Sequence, residues 1–356
     1  MFYRLKFPAL QTGLPLHDIP DPSGQLIAAA NTPGLDGENV PPGEAQALQT
    51  ILRHIEARVR DHARHGAARR DAHPKAHGVV RATFRVLDNL PNEWRAGLFA
   101  APQAYPCFIR FSNGSDVPGT DRLGDVRGMA IKLLGVAGSR SGTQDFLLIN
   151  SPVLFVRNCA DYVDFFAAEP RWRFFFPGWN ALKFRWRELF VALAIARQKP
   201  GNPLNMRYWS TTPFLFGTIA CKFSARPAGP ASPFTQREAP DFLHDNLAQH
   251  LAGQGAEFDF MVQMRGKPAT MPLEDAAVPW GERATPFVPV ARILIPPQDF
   301  DHASQRAFGE DLSFTPWHGL DAHRPLGGIN RVRRMVYEHI SRLRHELNGV
   351  ERREPK

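Results

Sequence analysis

The sequence predicts an α+β fold in which an antiparallel β-sheet or β-barrel is surrounded by helices. The chain has 356 residues, of which 43% are hydrophobic, so it is long enough to bury a large core. Its 32 prolines disfavour a mostly helical bundle, because proline interrupts helix interiors. About six segments rich in β-branched and aromatic residues end in turn residues without regular helices between them, a pattern typical of antiparallel pairing.

The first 68 residues are predicted to form an N-terminal arm followed by one helix. Residues 1–40 are rich in proline, glycine and aspartate, which indicates irregular structure. The segment 43–68 has Glu44 early and Gly66 near its end, as expected of a helix. Residues 69–350 are then expected to form the core domain.

Six strands are predicted along the core domain. They are GVVRATFRVL (78–87), YPCFIRFSNG (105–114), RGMAIKLLGV (127–136), QDFLLINSPVLFV (144–156), AEFDFMVQMR (256–265) and TPFVPVARILI (285–295). A helical, aromatic-rich insertion is expected at about 164–215, and its part 164–198 combines aromatic residues with arginine. Such a segment is typical of a helical subdomain that packs on the core, and the alternative is a surface for lipid or a long acyl chain.

Charge and cysteine content bound the location and the partners. The formal net charge is +8, but the basic residues are scattered and no nucleic-acid-binding motif accompanies them, so no nucleic-acid partner is predicted. Three widely spaced cysteines and the lack of a secretory signal predict a cytoplasmic protein. The longest apolar run, at 189–196, is too short to span a bilayer.

The strongest local pattern lies in a helix predicted from residue 331. Arg333, Tyr337 and Arg344 fall on one face of that helix. Nearby guanidinium groups favour the anion of a tyrosine, and such a tyrosinate is a ligand for ferric haem iron. On the residues alone, a structural Arg–Tyr pair remains the more common interpretation.

Two histidines four residues apart, His73 and His77, form a second pattern. A zinc pair is disfavoured because Pro74 suits only a first helical turn and the carboxylate of a HExxH motif is missing. On the residues alone, the alternatives for His73 and Asn150 are a solvated loop histidine and a turn residue.

Five motifs together resemble the haem catalase family, in the order of the family and over about residues 69–348. The motifs are RDAH (70–73), IRFSNG (109–114), DVRGMAIKLLG (125–135), QDFLLINSPVLFVRN (144–158) and RVRRMVYEHISRLR (331–344). The resemblance implies a catalase-like haem fold built on the β-barrel. Only eight residues follow Asn348, so a shortened relative without the C-terminal helical domain is expected, and NADPH is not expected.

The resemblance also implies a role for each matching residue. His73 matches the distal histidine, Ser112 its hydrogen-bond partner and Asn150 the distal asparagine. Tyr337 matches the proximal ligand of the ferric iron of haem b. The other expected haem-binding residues are Arg70, Arg110, Phe155, Tyr162, Arg333 and Arg344. His77 is the fallback base, because the stretch after Pro74 is one residue longer than the common pattern.

The implied activity is that of a catalase or peroxidase acting on hydrogen peroxide or organic hydroperoxides. One alternative is the rearrangement of fatty-acid hydroperoxides, as in allene oxide synthases, since Ala72 is smaller than the usual valine and 164–198 is apolar. Another is haem binding without catalysis. A homodimer, and a peripheral membrane or lipid contact through 164–198, are further hypotheses.

Overall fold

The computed structural model describes residues 38–232, 238–352 and 354–355, so most of the predicted N-terminal arm lies outside the described residues. The first predicted helix is present as α1, Glu44–Ala63. It ends earlier than the sequence indicated, before Gly66, which adopts a φ of 157° that a helix cannot contain. No helix among these residues has the length and apolar character needed to cross a membrane.

Nine strands form one antiparallel sheet. They are β1 (Ala76–Val86), β2 (Ala104–Asn113), β3 (Arg127–Leu134), β4 (Thr143–Ile149), β5 (Tyr208–Trp209), β6 (Phe214–Phe216), β7 (Ile219–Pro227), β8 (Ala256–Met264) and β9 (Val288–Ile295). Their hydrogen-bonded order is β5-β4-β3-β2-β1-β9-β8-β7-β6. Strand β5 pairs both with β4, at Ile149 and Trp209, and with β7, at Tyr208 and Ala225. This double pairing closes eight strands into a barrel, and β6 extends it beside β7.

All six predicted strands are confirmed, with corrections to their ends, and the last of them begins at Val288 and not at residue 285. The strand predicted at 144–156 stops at Ile149, before Pro152, which has no N–H for a ladder. The sequence missed β5, β6 and β7, and the predicted helical insertion 164–215 was wrong in its last part because it contains β5 and the start of β6. Strand β7 was not predicted because it buries Lys222 and Ser224, whose polar side chains interrupt the hydrophobic pattern of a strand.

Five more helices surround the barrel, with short 3₁₀ turns between the first two of them. They are α2 (Cys159–Ala167), α3 (Trp186–Arg197), α4 (Phe242–Leu251), α5 (Ala303–Asp311) and α6 (Gly328–Asn348). Helix α6 ends at Asn348, and the next residue, Gly349, adopts the left-handed conformation typical of a helix C-terminus.

Two hydrophobic clusters hold the fold together. Phenylalanine rings fill the barrel, and Phe260 packs 4.7 Å from Phe146 and 5.0 Å from Phe84, between ring centroids. The second cluster joins α1 to α6, where leucine, isoleucine and valine side chains of both helices are buried. The fully buried Arg331 of α6 adds an ion pair of 2.7 Å with Glu44 of α1. Helix α6 is therefore fixed against α1, and its other side chains are held in defined positions.

Candidate functional site

His73 and Ser112 lie together, as the sequence predicted. The Nδ1 atom of His73 lies 3.0 Å from Oγ of Ser112, within hydrogen-bonding distance. His73 stands just before β1, and the pairing of Ala76 with Ser112 brings the start of β1 beside the end of β2. The backbone of His73 has a φ of 59°, in the left-handed region that few non-glycine residues adopt.

Gly128 of β3 makes this contact sterically feasible. A Cβ atom at position 128 would lie 2.7 Å from the ring of His73 and 2.8 Å from Oγ of Ser112. Both distances are shorter than any normal contact. Any side chain here would therefore displace the histidine, and sequence analysis had given Gly128 no individual role.

The environment of His73 keeps its ring neutral at neutral pH. Burial, together with the positive charges of Arg110 and Arg333, lowers the pKa of His73 to about 4. The residue as a whole is half-buried, so part of its surface remains accessible. A neutral imidazole is able to accept a proton.

Asn150 follows the end of β4 and is held on both sides. Its Oδ1 accepts a hydrogen bond of 2.7 Å from the backbone N–H of Arg127. Its Nδ2 donates one of 2.5 Å to Oε1 of Gln198, the residue directly after α3. The sequence analysis missed Gln198, since no local pattern relates two residues 48 positions apart.

Tyr337 and Arg333 interact on α6, as their spacing predicted. Nη2 of Arg333 donates a hydrogen bond of 3.2 Å to the phenol oxygen of Tyr337, and Nη1 donates to Oδ1 of Asn330. The charge of Arg333 is also among those that lower the pKa of His73. The tyrosine and the histidine therefore belong to one region of the protein, although α6 and β1 are far apart in the chain.

Arg70, Arg110 and Arg344 converge on one short segment at the end of α5. Arg70 forms an ion pair of 3.0 Å with Glu310, and Arg110 lies 3.7 Å from the same carboxylate. Arg344 donates to the backbone carbonyl of Glu310 and forms no ion pair within the described residues. Burial and the neighbouring charge of Arg70 lower the pKa of Arg110 to about 9 and that of Arg344 to about 10.

The two aromatic residues predicted for the pocket, Phe155 and Tyr162, lie in one aromatic cluster. Tyr162 lies deep in the protein, where burial and the nearby Asp71 raise its pKa to about 12, and Tyr337 acts in the same direction. Phe155 packs against Phe165, with 4.8 Å between ring centroids. Both residues belong to the aromatic cluster around α2, and Tyr162 also packs in the cluster that contains Tyr337.

His77, the fallback base, points into a separate buried network. Its Nε2 lies 2.7 Å from Oδ1 of Asn113, and its Nδ1 lies 4.0 Å from Asp121. This position favours His73 over His77 as the base. Within the residues that the structure describes, histidine, cysteine and acidic side chains form no cluster of three or more that could hold a metal ion.

Two sequence comparisons show what this chain is similar to. The sequence profile of the catalase family matches residues 48–172. A protein of Mycolicibacterium paratuberculosis (strain ATCC BAA-968 / K-10) named catalase-related peroxidase is 29% identical, over 72% of this chain and 83% of that protein.

The fold is similar to those of solved catalases at low sequence identity. A fungal catalase has a TM-score of 0.65 at 15% identity, over 88% of this chain and 65% of its own. A bacterial catalase has a TM-score of 0.64 at 17% identity, over 92% and 66%. Catalase A from Saccharomyces cerevisiae has a TM-score of 0.65 at 16% identity, over 90% and 69%. The chain thus spans about two thirds of the length of the solved catalases that it matches.

Proposed function

We propose that this chain, which is similar to the catalase family and to a catalase-related peroxidase, is a catalase-like oxidoreductase that binds haem b between His73 and Tyr337 and metabolises peroxide there. Tyr337 would hold the ferric iron, and hydrogen peroxide is the first candidate substrate. The mycobacterial relative named a peroxidase supports an enzyme that takes electrons from an organic donor as well as one that releases oxygen.

The observation that carries this proposal is a surplus of buried positive charge. Three guanidinium groups, of Arg70, Arg110 and Arg344, surround a segment whose only carboxylate at ion-pair distance, within the described residues, is that of Glu310. The Nε atom of Arg110 is buried without a hydrogen-bond partner. Buried cations without counter-charges are costly, so a dianionic ligand fits this region. The two propionate groups of haem supply two negative charges.

Arg110 and Arg344 are the best placed of the three to hold such carboxylates. Arg70 is already bound by Glu310 and by the carbonyl oxygens of Gly309 and Leu312. Arg110 has only contacts of 3.4 Å or longer, with Pro74 and Glu310. Its guanidinium group is therefore the least satisfied of the three and would gain most from a propionate.

Haem, when bound, would supply the redox-active iron at which the O–O bond of a peroxide is cleaved. His73 would take the proton from the peroxide and return it to the oxygen that leaves as water, through the ring nitrogen that Ser112 does not hold. Its low pKa keeps that nitrogen free of a proton until the substrate arrives. Asn150 would orient the peroxide with its amide, which Arg127 and Gln198 hold in place. Arg333 would fix the phenol oxygen of Tyr337 toward the iron.

Organic hydroperoxides are the second candidate substrates, either reduced or rearranged as by an allene oxide synthase. The observation that favours them is the apolar outer face of α3, the helix that precedes Gln198, where Trp186 and Phe190 are exposed. Haem binding without turnover is the third candidate. We further propose that the protein is a homodimer and that it is located in the cytoplasm. Its three cysteines are free and buried, which is compatible with a reducing compartment.

The test is the absorption spectrum of the purified protein supplied with haem, followed by addition of hydrogen peroxide. A tyrosinate-type high-spin ferric spectrum with oxygen release supports a catalase. The same spectrum with consumption of an aromatic electron donor and no oxygen supports a peroxidase, and consumption of only a fatty-acid hydroperoxide supports the second candidate. No haem spectrum at all would contradict the proposal.

A further inference from the structure

A group of exposed hydrophobic side chains lies between residues 179 and 190. Trp179, Leu182, Trp186 and Phe190 are 67%, 96%, 49% and 65% exposed, respectively. They are four of the nine large hydrophobic residues that are exposed in the described part of the chain, within only twelve positions. Single exposed hydrophobic residues are ordinary, but a concentrated patch marks a surface that binds a partner. We call these four residues the apolar patch.

The apolar patch is built as one unit around Phe176. The ring of Phe176 stacks on Trp179, with centroids 6.2 Å apart, and packs edge-on against Trp186 at 5.9 Å. Phe184 contacts both Phe176 and Trp186, at 5.0 and 5.4 Å. The exposed tryptophans are therefore held by buried and half-buried rings, and Phe190 follows Trp186 by one helical turn on the same face of α3.

Helix α3 buries a charged side chain and exposes apolar ones, which is the opposite of what is expected for a helix next to water. It buries the carboxylate of Glu188, which is 5% exposed and lies 3.2 Å from the guanidinium of Arg187, and it exposes Trp186 and Phe190. A helix whose outer face meets only water normally carries its charged residues there. The outer face of α3 is therefore suited to an apolar environment.

Four exposed basic residues lie close to the apolar patch along the chain, and we call them its basic border. Arg173, Lys183, Arg197 and Lys199 are exposed, and none of them forms an ion pair with a carboxylate of the described residues. Arg173 donates only to the backbone carbonyl of Glu169. Aromatic and aliphatic side chains bordered by lysine and arginine match the interface of an anionic bilayer, where the rings enter the headgroup region and the cations meet phosphates.

A second copy of the chain fits this surface less well. In a two-fold symmetric contact the same patch would face itself, and the basic residues around it would meet their own copies. Like charges placed opposite each other oppose association. The charge around the patch thus favours an anionic partner.

We propose that the apolar patch and its basic border dock this protein on an anionic phospholipid bilayer. The patch is connected to the candidate site through α3, which packs closely on the loop before β3, since a Cβ at Gly124 would lie 1.7 Å from the carbonyl oxygen of Ala196. Two residues later, Gln198 binds Asn150. Membrane-lipid hydroperoxides are then the natural substrate class, a consequence that rests on the proposed haem function, whereas docking itself does not.

The test is co-sedimentation with vesicles of phosphatidylcholine mixed with phosphatidylglycerol, compared with phosphatidylcholine alone, for the full chain with and without haem. The protein should bind the anionic vesicles, with a blue shift of tryptophan emission. Leu182→Ser combined with Phe190→Ser should lower the apparent affinity by about tenfold or more, since two apolar side chains lose their burial in lipid. The matched control, Ile219→Ser with Leu347→Ser, changes two exposed residues elsewhere and leaves the affinity unchanged.

Both pairs of substitutions preserve the net charge, so attraction of the basic chain as a whole cannot explain a difference between them. Equal binding by the two pairs, or no binding of anionic vesicles, would overturn the proposal. A drop in molecular mass by light scattering in the Leu182/Phe190 variant, without vesicle binding by the parent chain, would assign the patch to self-association instead. Because sedimentation requires no haem, a failed haem titration and failed docking remain distinguishable.

Discussion

The amide nitrogen of Asn150 donates a hydrogen bond to the side-chain oxygen of Gln198, 2.5 Å away, so the end of β4 is tied to the end of α3. The opposite end of the same amide accepts from the backbone N–H of Arg127. Asn150 is thereby fixed in one orientation, with each of its polar atoms assigned. Gln198 acts as a positioning residue for the asparagine that the resemblance places in the distal site.

Replacing Gln198 by leucine should reduce the catalytic efficiency with peroxide. The Asn150 amide would lose its acceptor and rotate more freely, and we expect kcat/KM to fall about tenfold, because orientation contributes strongly to catalysis. Gln198→Glu is the matched control, since its carboxylate still accepts the hydrogen bond. Steady-state kinetics on the two variants, with unchanged haem spectra, would check this, and equal rates in both would contradict it.

Replacing Tyr337 by phenylalanine should abolish the tyrosinate-type haem spectrum. The variant removes the oxygen that Arg333 holds and leaves the ring in place, so the fold is expected to persist. We expect haem affinity to fall about tenfold or more, as loss of a direct ligand would cause. Tyr105→Phe is the control and should keep the parent spectrum, because the hydroxyl of Tyr105 bonds Gln103, outside the candidate site. An unchanged spectrum in Tyr337→Phe would exclude this residue as the ligand.

Replacing His73 by glutamine should remove peroxide turnover while haem remains bound. Loss of a general acid–base catalyst lowers rates by about 10²- to 10⁴-fold. Ser112→Ala removes only the hydrogen-bond partner and should have a smaller effect, in the same direction. Oxygen release, normalised to haem content, measures both. A rate in His73→Gln within a few-fold of the parent would remove His73 from the proposed role.

Replacing Gly128 by alanine should disturb His73 without unfolding the barrel. The new Cβ would overlap the histidine ring and Ser112, and we expect lost turnover with a destabilisation of about 1–3 kcal/mol, as for other overpacked sites. Gly281→Ala is the matched control, because nothing lies within 4 Å of its Cβ position. Chemical denaturation and oxygen release on both variants would separate the two effects, and full activity in Gly128→Ala would contradict the close approach.

The free energy of unfolding should fall as the pH decreases from 6.5 to about 4, in part because of His323. Burial lowers the pKa of this 1% exposed histidine from 6.5 to about 4. Above pH 6.5 the ring is neutral in both states. Between the two pKa values only the unfolded chain binds the proton, so unfolding becomes easier by about 3 kcal/mol in total. Below about pH 4 both states bind the proton, so the loss of stability is complete and does not grow further.

The variant His323→Gln cannot take up that proton, so its acid-dependent loss of stability should be smaller than that of the parent. Denaturant unfolding across this pH range, with both proteins in the same buffers, gives the comparison. Parallel curves for the two proteins would show that His323 does not contribute to the pH dependence.

The amino-acid sequence by itself determined the features that depend on local pattern. The helical spacing of Arg333 and Tyr337 is sufficient to bring the guanidinium to the phenol, because residues four apart lie on one face of a helix. The long strands, such as β1 and β2, followed from β-branched and aromatic content. The resemblance to a known family added the contact between His73 and Ser112, which the residues alone left open.

Only the tertiary structure decided the relationships between distant segments. The two-residue strand β5 closes the barrel through its partners β4 and β7, and a segment so short has no periodicity to detect. Three arginines from separate parts of the chain lie next to Glu310. Gln198 accepts a hydrogen bond from Asn150, 48 positions earlier in the chain. The exposure of Trp186 and the burial of Glu188 likewise reverse what their polarity predicts. Such arrangements depend on which surfaces the folded chain brings into contact, and composition and spacing do not encode those distances.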